Sequence, residues 1–223
     1  MLIHTDITVE PLLRVAEILN KAMTRNLVDW NAMNIATVSS DGQPSSRMVL
    51  LKKIDDRGFV FYSNFNSQKG QEIELNNLVA LNFWWRELKE QIRVEGSIKK
   101  LSPEESDEYF NSRPLQSRVA AIVSKQSETI ESYEKLNEEI QNLTEKFEES
   151  GEEPVRPEHC GLYLISPQSI EIWKERDFRT HLREKFTKNN NNKWGPLHIS
   201  MYSSWLYNPT FSWSLMSSKI SNL

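Results

Sequence analysis

Short strand-like runs separated by tight-turn signals most constrain the fold of this chain. Met33–Val38 is followed by the turn signal Ser39-Ser40-Asp41-Gly42, and Ser45–Lys53 then forms a second run. Asp-Gly between such runs is a strong hairpin signal. A third run, Gly58–Ser63, follows a turn at 55–58. The pattern predicts an antiparallel meander in the first third of the chain.

Alternating strand and helix signals continue to about residue 194. Further strands are predicted at Leu78–Trp85, Gln91–Leu101, Gly161–Ile165, Ser169–Trp173 and His181–Phe186. Helices are predicted at Val9–Arg25, Ser67–Asn76, Ser102–Asn111, Leu115–Val123 and Thr129–Glu149.

Together these elements predict a mainly β, α+β protein built on a small antiparallel barrel with attached helices. We expect one domain over 1–194, with an N-terminal helix at about 9–25 and a helical insert at about 102–149. Ser166-Pro167 is expected to break one strand into two. From 195 to 223 the chain is rich in serine and aromatic residues without clear periodicity, which predicts a divergent C-terminal tail.

Composition excludes several classes of function. The formal charge of −4, with basic residues interleaved among acids, argues against nucleic-acid binding. The single cysteine, Cys160, excludes an intramolecular disulfide framework and fits a reducing compartment. His159 beside Cys160 lacks the second pair of ligands that a zinc site needs, so no metal is expected. No run approaches the length of a spanning helix, and a soluble, cytoplasmic protein is expected.

Basic and hydroxyl side chains recur in compact groups along the chain. These groups are Arg47 with Lys52, Ser67 with Lys69, Ser112-Arg113 with Ser117, and Arg179 with His181 and Arg183. Arginine and lysine suit phosphate, and buried cations need an anionic ligand or partner. Taken alone, each group is more often an ordinary surface pair. Strict alternation would place Arg47 and Lys52 on opposite faces of their strand unless a bulge intervenes.

In the order of its motifs the chain resembles the pyridoxine/pyridoxamine 5′-phosphate oxidase family, from about residue 32 to 186. The stretches that carry the resemblance are Arg47-Met48-Val49-Leu50-Leu51-Lys52, Phe61-Tyr62-Ser63-Asn64, Gln91-Ile92-Arg93-Val94-Glu95-Gly96, Tyr109-Phe110-Asn111-Ser112-Arg113-Pro114 and Val123-Ser124-Lys125-Gln126-Ser127. The resemblance implies an FMN-binding split β-barrel that works as a homodimer with FMN between the subunits.

The resemblance also implies roles for individual residues. FMN contacts are implied for Arg47, Met48, Val49, Leu50, Leu51, Lys52, Tyr62, Ser63, Gln68, Lys69, Gln91, Gln126, Ser127, Trp173 and Arg183. Substrate contacts are implied for Lys52, Tyr109, Arg113, Ser117, Arg179, Thr180 and His181. Of these, Arg179 and His181 are the expected catalytic pair near the pyridine ring. The implied reaction moves a hydride from C4′ of pyridoxamine or pyridoxine 5′-phosphate to the flavin, and oxygen then reoxidises the flavin to give hydrogen peroxide.

The sequence departs from the family pattern at several positions. Gln68 replaces an arginine, Lys174-Glu175 replaces Gln-Gly, and Leu182 replaces an aspartate. These changes leave open a second reading, a protein that binds FMN or pyridoxal phosphate with little turnover. A third reading is another flavin reductase or oxygenase of the split-barrel type.

Individual residues also have structural alternatives. Trp173 could be core packing, Tyr109 could lie on a buried helix face, and His181 could be a hydrogen-bonded structural histidine. Gln126 and Ser127 could cap the long helix that follows them.

Overall fold

The computed structural model describes residues 7–124 and 126–202. Its helices are α1 (Glu10–Thr24), α2 (Gln68–Leu75), α3 (Pro103–Asn111), α4 (Leu115–Val123) and α5 (Tyr133–Ser150). Its strands are β1 (Ala32–Val38), β2 (Pro44–Asp55), β3 (Gly58–Asn64), β4 (Leu78–Trp85), β5 (Glu90–Lys100), β6 (Cys160–Lys174), β7 (His181–Thr187) and β8 (His198–Tyr202).

The strands form one antiparallel sheet in the order β3-β2-β1-β4-β5-β6-β7-β8. β3 also pairs with the first half of β6, from Phe59 opposite Ile165 to Asn64 opposite Cys160, so six strands close into a barrel. β7 and β8 continue the sheet beyond the second half of β6. The predicted antiparallel barrel with attached helices is confirmed.

Side-chain alternation fills the barrel with apolar groups. Met33 and Ile35 of β1, Phe83 of β4 and Ile92 of β5 are fully buried. α1 packs Leu12, Val15 and Leu19 into the same core cluster. Because alternate residues of each strand point into this core, their neighbours on the outer face remain available for ligands and partners.

β6 is one continuous strand of 15 residues, so the prediction of two strands broken at Ser166-Pro167 is wrong. The pairing with β5 shifts register between Glu95 and Gly96, opposite Pro167. A Cβ on Gly96 would lie 2.3 Å from the backbone oxygen of Ser166, so only glycine permits this approach. The bulge accommodates the proline without ending the strand.

Serine side chains cap α2 and α3, and the long helix starts later than predicted. Ser67 accepts a hydrogen bond from the amide of Gly70, and Ser102 accepts one from Glu105. α5 begins at Tyr133 with Ser132 as its cap. Gln126 and Ser127 therefore lie in the preceding loop and do not cap α5.

β8 lies inside the segment 195–223, which was predicted to be a divergent tail because it lacks clear periodicity. It pairs with β7 from His181 opposite Tyr202 to Lys185 opposite His198. The pairing depends on the free edge of β7 and not on a local pattern, which explains why the sequence did not reveal it. Residues 203–223 of the predicted tail lie outside the described residues.

Candidate active site

A cavity of about 910 Å³ lies between the outer face of β2 and β3, the α3–α4 turn and the N-terminus of α2. Most of the predicted ligand contacts line it. These are Arg47, Met48, Val49, Leu50, Lys52, Tyr62, Ser63, Gln68, Lys69, Tyr109, Arg113, Ser117, Gln126 and Ser127. Side chains from distant parts of the chain are thus brought to one site.

A bulge in β2 places Arg47 and Lys52 on the same cavity. The pairing of β2 with β3 shifts register between Leu51 and Lys53, so the strict alternation of side chains is interrupted at Lys52. The bulge explains how both side chains reach the cavity, although strict alternation would place them on opposite faces of the strand.

Two cations and two aromatic rings lie against one another at one end of the cavity. The guanidinium carbon of Arg113 lies 4.9 Å from the ring centroid of Tyr62. The Tyr62 and Tyr109 centroids are 5.1 Å apart, and Nζ of Lys52 lies 6.0 Å from the Tyr109 centroid. Burial, and then the charge of Arg113, lower the pKa of Lys52. Ser117, one turn into α4, lines the same cavity.

Arg47 is held by a buried carboxylate behind the cavity wall. Its Nη2 atom donates to Glu72 at 3.2 Å and to Oγ of Ser45 at 2.7 Å, and Nη1 donates to Thr37. Burial opposes ionisation of Glu72, but donors from Thr37, Ser45, Gln68 and Arg47 outweigh it and hold its pKa below the usual value. Glu72 is therefore a charged and buried counter-ion.

Lys69 joins α2 to the loop after α4. Its Nζ atom lies 2.9 Å from Oγ of Ser67 and 2.7 Å from Oε1 of Gln126. The backbone amide of Gln68 donates to Oγ of Ser127 at 3.2 Å. Burial and the nearby charge of Arg47 lower the pKa of Lys69 to about 8. A buried cation at this position favours an anionic ligand.

Leu51 is the one predicted contact in the 47–52 run that does not line the cavity. Its side chain is fully buried in the barrel core. Its amide donates to the backbone oxygen of Asn31, and its oxygen accepts from the Asn31 side chain. Leu51 therefore contributes to core packing and backbone pairing.

The remaining predicted residues form a second group on the outer face of β5, β6 and β7. Gln91 is opposite Trp173, and Trp173 is opposite Arg183. The rings of Trp173 and His181 are 4.8 Å apart. Arg183 pairs with the buried carboxylate of Glu171, which also contacts Arg93 at 3.2 Å. Arg179 and Thr180 are exposed in the turn before β7.

The structure tests the alternatives for two of these residues. Trp173 is only partly buried and contacts Trp84 and His181 on the outer face, outside the core cluster. Nδ1 of His181 accepts a hydrogen bond from the amide of Arg176 at 3.2 Å. This bond orients the ring and leaves Nε2 as the protonated nitrogen of the neutral imidazole.

The second group does not line the cavity of its own copy of the chain. Cys160 at the start of β6 lines the cavity, whereas Trp173 is thirteen residues further along the same strand. At a rise of about 3.3 Å per residue the two positions are roughly 40 Å apart along the strand. Of the two groups, only the first lines the cavity.

The departures at 174 and 175 are accommodated by ion pairs. Lys174 lies 2.7 Å from Glu90, which also contacts Lys21 of α1 at 3.0 Å. Glu175 lies 3.2 Å from Lys89. These pairs connect the end of β6 to the β4–β5 turn and position the segment that leads to Arg179.

Sequence reasoning missed several residues of the site. Ser45, Ser46, Asn64, Pro114, Ala120, Ala121, Ser124 and Cys160 also line the cavity. Glu72 was missed because an acidic residue on a short helix gives no local sign of contact with β2.

Within residues 7–124 and 126–202 no group of three histidine, cysteine or acidic side chains could hold a metal ion. None of the helices described is long and apolar enough to cross a membrane.

Comparison with known proteins identifies the family of this chain. Residues 19–146 match the family model described as pyridoxamine 5′-phosphate oxidase, and residues 161–196 match that of the pyridoxine 5′-phosphate oxidase C-terminal dimerisation region. The chain is 44% identical over 189 residues to a pyridoxine/pyridoxamine 5′-phosphate oxidase of Nostoc punctiforme, covering 85% of this chain and 87% of that protein. It is 42% identical over 197 residues to the enzyme of that name from Cupriavidus necator, covering 88% and 92%.

Solved structures show the same fold. PhzG from Burkholderia lata, in complex with tetrahydrophenazine-1-carboxylic acid, superposes with a TM-score of 0.80 at 26% identity, covering 86% of this chain and 92% of that one. A pyridoxamine 5′-phosphate oxidase-related, FMN-binding protein from Nostoc punctiforme gives a TM-score of 0.67 at 17% identity, covering 85% and 95%. The chain belongs to the pyridoxamine 5′-phosphate oxidase family, whose members are FMN-dependent oxidoreductases on a split β-barrel.

Proposed function

We propose that this protein is an FMN-dependent oxidase that converts pyridoxamine 5′-phosphate and pyridoxine 5′-phosphate to pyridoxal 5′-phosphate with oxygen as the acceptor. The observation that carries the proposal is one cavity with two separate cationic groups, Arg47 with Lys69 and Lys52 with Arg113. Two phosphates can be bound there at once, one on a cofactor and one on a substrate.

The chain's own donors fit the phosphate tail of FMN. Arg47 and Lys69 supply positive charge, and the Gln126 and Ser127 side chains lie beside Lys69 and the start of α2. The lowered pKa of Lys69 indicates a cation with too little counter-charge, which a phosphate dianion supplies. When bound, FMN supplies hydride acceptance and electron transfer to oxygen.

The second cationic group fits the substrate phosphate. The Nη1 atom of Arg113 is buried and has no hydrogen-bond partner among the described residues. Such atoms are costly unless a ligand satisfies them. Lys52, Tyr109, Arg113 and Ser117 would hold the phosphate and fix the reacting carbon by remote binding energy.

A second copy of the chain would complete the site. The group containing Gln91, Trp173, His181 and Arg183 lies on the outer face and does not line the cavity of its own copy. The match of 161–196 to a dimerisation region supports a homodimer. In the proposed dimer the cavity of one copy faces this group of the other, with FMN between them. Arg179 would cover the substrate ring, while Nε2 of His181 would donate a hydrogen bond to the substrate.

An anaerobic experiment tests the proposal. The purified protein should carry a flavin spectrum, and pyridoxamine 5′-phosphate should bleach it without oxygen. Flavin that never bleaches would support a binding protein with little turnover, the reading that Gln68 and Leu182 favour. Bleaching only with a nicotinamide donor would support a split-barrel reductase.

A further inference from the structure

We propose that Tyr62 is a positioning residue for recognition of the substrate phosphate, because its ring holds the guanidinium of Arg113 in place. The inference rests on the proposed function and goes beyond it. Tyr62 was predicted as a cofactor contact, whereas its side chain lies at the end of the cavity where the substrate phosphate is expected.

The ring of Tyr62 lies between Arg113 and Tyr109. The Arg113 guanidinium carbon is 4.9 Å from the Tyr62 centroid, and the Tyr109 centroid is 5.1 Å away. Separations of this size are typical of cation–π and aromatic pairs. β3 anchors Tyr62, and its register with β6 is fixed by the pairing of Tyr62 with Leu162. The ring is thus a rigid support for a long and otherwise mobile side chain.

The way in which Arg113 is held differs from the way in which Arg47 is held. Arg47 donates to the carboxylate of Glu72, so part of its charge is neutralised inside the protein. Within the described residues Arg113 makes no ion pair with a carboxylate, and its Nη1 atom has no hydrogen-bond partner. An aromatic face orients a guanidinium without neutralising it. Arg113 therefore keeps its full charge and its in-plane donors for a phosphate.

Tyr62 and Tyr109 also place two like charges at one site. Nζ of Lys52 lies 6.0 Å from the Tyr109 centroid, and Arg113 lies over the neighbouring Tyr62 ring. Without the rings the two cations would move apart when no anion is bound, since like charges repel. The two rings preorganise the pair of cations, and preorganisation improves affinity by reducing the ordering cost of binding.

Direct binding tests this inference without turnover. The probe is 4′-deoxypyridoxine 5′-phosphate, which lacks an oxidisable C4′ group, with 4′-deoxypyridoxine as the ligand without phosphate. In Tyr62→Leu, we expect the Kd of the phosphorylated probe to rise about tenfold, the order of one cation–π contact. The Kd of the other ligand should change less than about twofold. Tyr62→Phe keeps the ring and should lose no more than about threefold.

A double-mutant cycle makes the test independent of general destabilisation. In the Arg113→Ala background, Tyr62→Leu should raise the Kd of the phosphorylated probe only slightly further, because the guanidinium that the ring contacts is absent. Phe65→Leu is the matched control, because it also removes a ring next to a cation. The Phe65 ring centroid lies 4.9 Å from Nζ of Lys100, and Phe65 does not line the cavity. It should leave the probe's Kd unchanged.

Three outcomes would overturn the inference. Tyr62→Phe could lose as much affinity as Tyr62→Leu, which would assign the effect to the hydroxyl. Additive losses in the cycle, or equal losses for both ligands, would assign Tyr62 a general structural role. A protein that binds the probe as expected but never oxidises pyridoxamine 5′-phosphate would contradict the proposed function alone.

Discussion

The Nζ atom of Lys69 lies 2.7 Å from Oε1 of Gln126, and this hydrogen bond joins α2 to the loop that follows α4. Within the described residues no carboxylate pairs with Lys69, and its side chain is almost fully buried. The amide oxygen of Gln126 stabilises the ammonium only in part. An anion bound beside Lys69 would supply the counter-charge that the protein does not.

This arrangement predicts a pH dependence of FMN binding. The pKa of Lys69 is lowered to about 8 by burial and by Arg47, so its charge is present below pH 8 and is lost as pH rises further. FMN affinity measured by flavin fluorescence should fall about tenfold between roughly pH 7 and 9.5. Cys160 titrates later, because burial raises its pKa above the usual 9.0. Lys69→Arg should bind FMN with a shallower dependence on pH, since arginine stays charged and Lys52, whose pKa is also lowered, remains to titrate in the cavity; a slope equal to that of the wild type would contradict the assignment.

Gln68→Arg should tighten FMN binding. Gln68 lines the cavity, and its side chain donates to Glu72 at 2.8 Å, so it adds no charge. An arginine would add a charge-assisted donor, and part of its gain would be lost to pairing with Glu72. We expect about a tenfold lower Kd for FMN. Gln71→Arg is the control, because Gln71 is exposed on the same helix and does not line the cavity. Equal tightening in both variants would indicate a general effect of charge.

Arg179→Ala should reduce turnover far more than flavin content. Arg179 is exposed in the turn before β7 and packs against no part of the barrel core. If it covers the substrate in the partner's cavity, kcat should fall about 100-fold, the usual scale for a lost positioning contact. Arg176→Ala in the same turn should retain activity, because the backbone amide of Arg176 and not its side chain contacts His181. Parallel losses of kcat and bound flavin in Arg179→Ala would instead indicate a structural role.

Mixed dimers should recover activity if each site uses both copies. Arg113→Ala inactivates the cavity side, and Arg179→Ala inactivates the side supplied by the other copy. A mixed dimer contains one site with both changes and one with neither, so a random equal mixture should reach about a quarter of wild-type activity. The measurement is turnover after refolding or coexpression of the two variants. If both residues served the site of their own copy, every mixture would remain inactive.

Local patterns predicted most of the barrel but not its irregularities. Leu115–Val123 and Leu78–Trp85 were predicted with the bounds that the structure has, because caps, turns and alternation mark these elements. β6 was divided at Pro167 because the compensating bulge depends on Gly96, a residue about 70 positions away. β8 was missed because its pairing depends on the edge of β7. Local signals cannot report such distant partners.

For the candidate site as well, local sequence patterns predicted only part of what the structure contains. The sequence placed Lys52, Arg113 and Ser117 at one site through the family resemblance, and the structure brings all three to one cavity. The residue pattern alone indicated only separate groups of cations, because contact between β2, β3 and the α3–α4 turn depends on barrel closure. The contact of Glu72 with Arg47 and that of Arg113 with the Tyr62 ring are visible only from the side-chain positions.

The uninterrupted course of β6 has a consequence for how this protein can vary. The strand begins at Cys160 beside one cavity and ends near Trp173, which in the proposed dimer serves the other cavity. In that dimer each copy of β6 would reach both catalytic centres and set the distance between their halves. An insertion or deletion within β6 would then misalign both centres together. A single change in the length of this strand would therefore affect both sites of the proposed dimer at once.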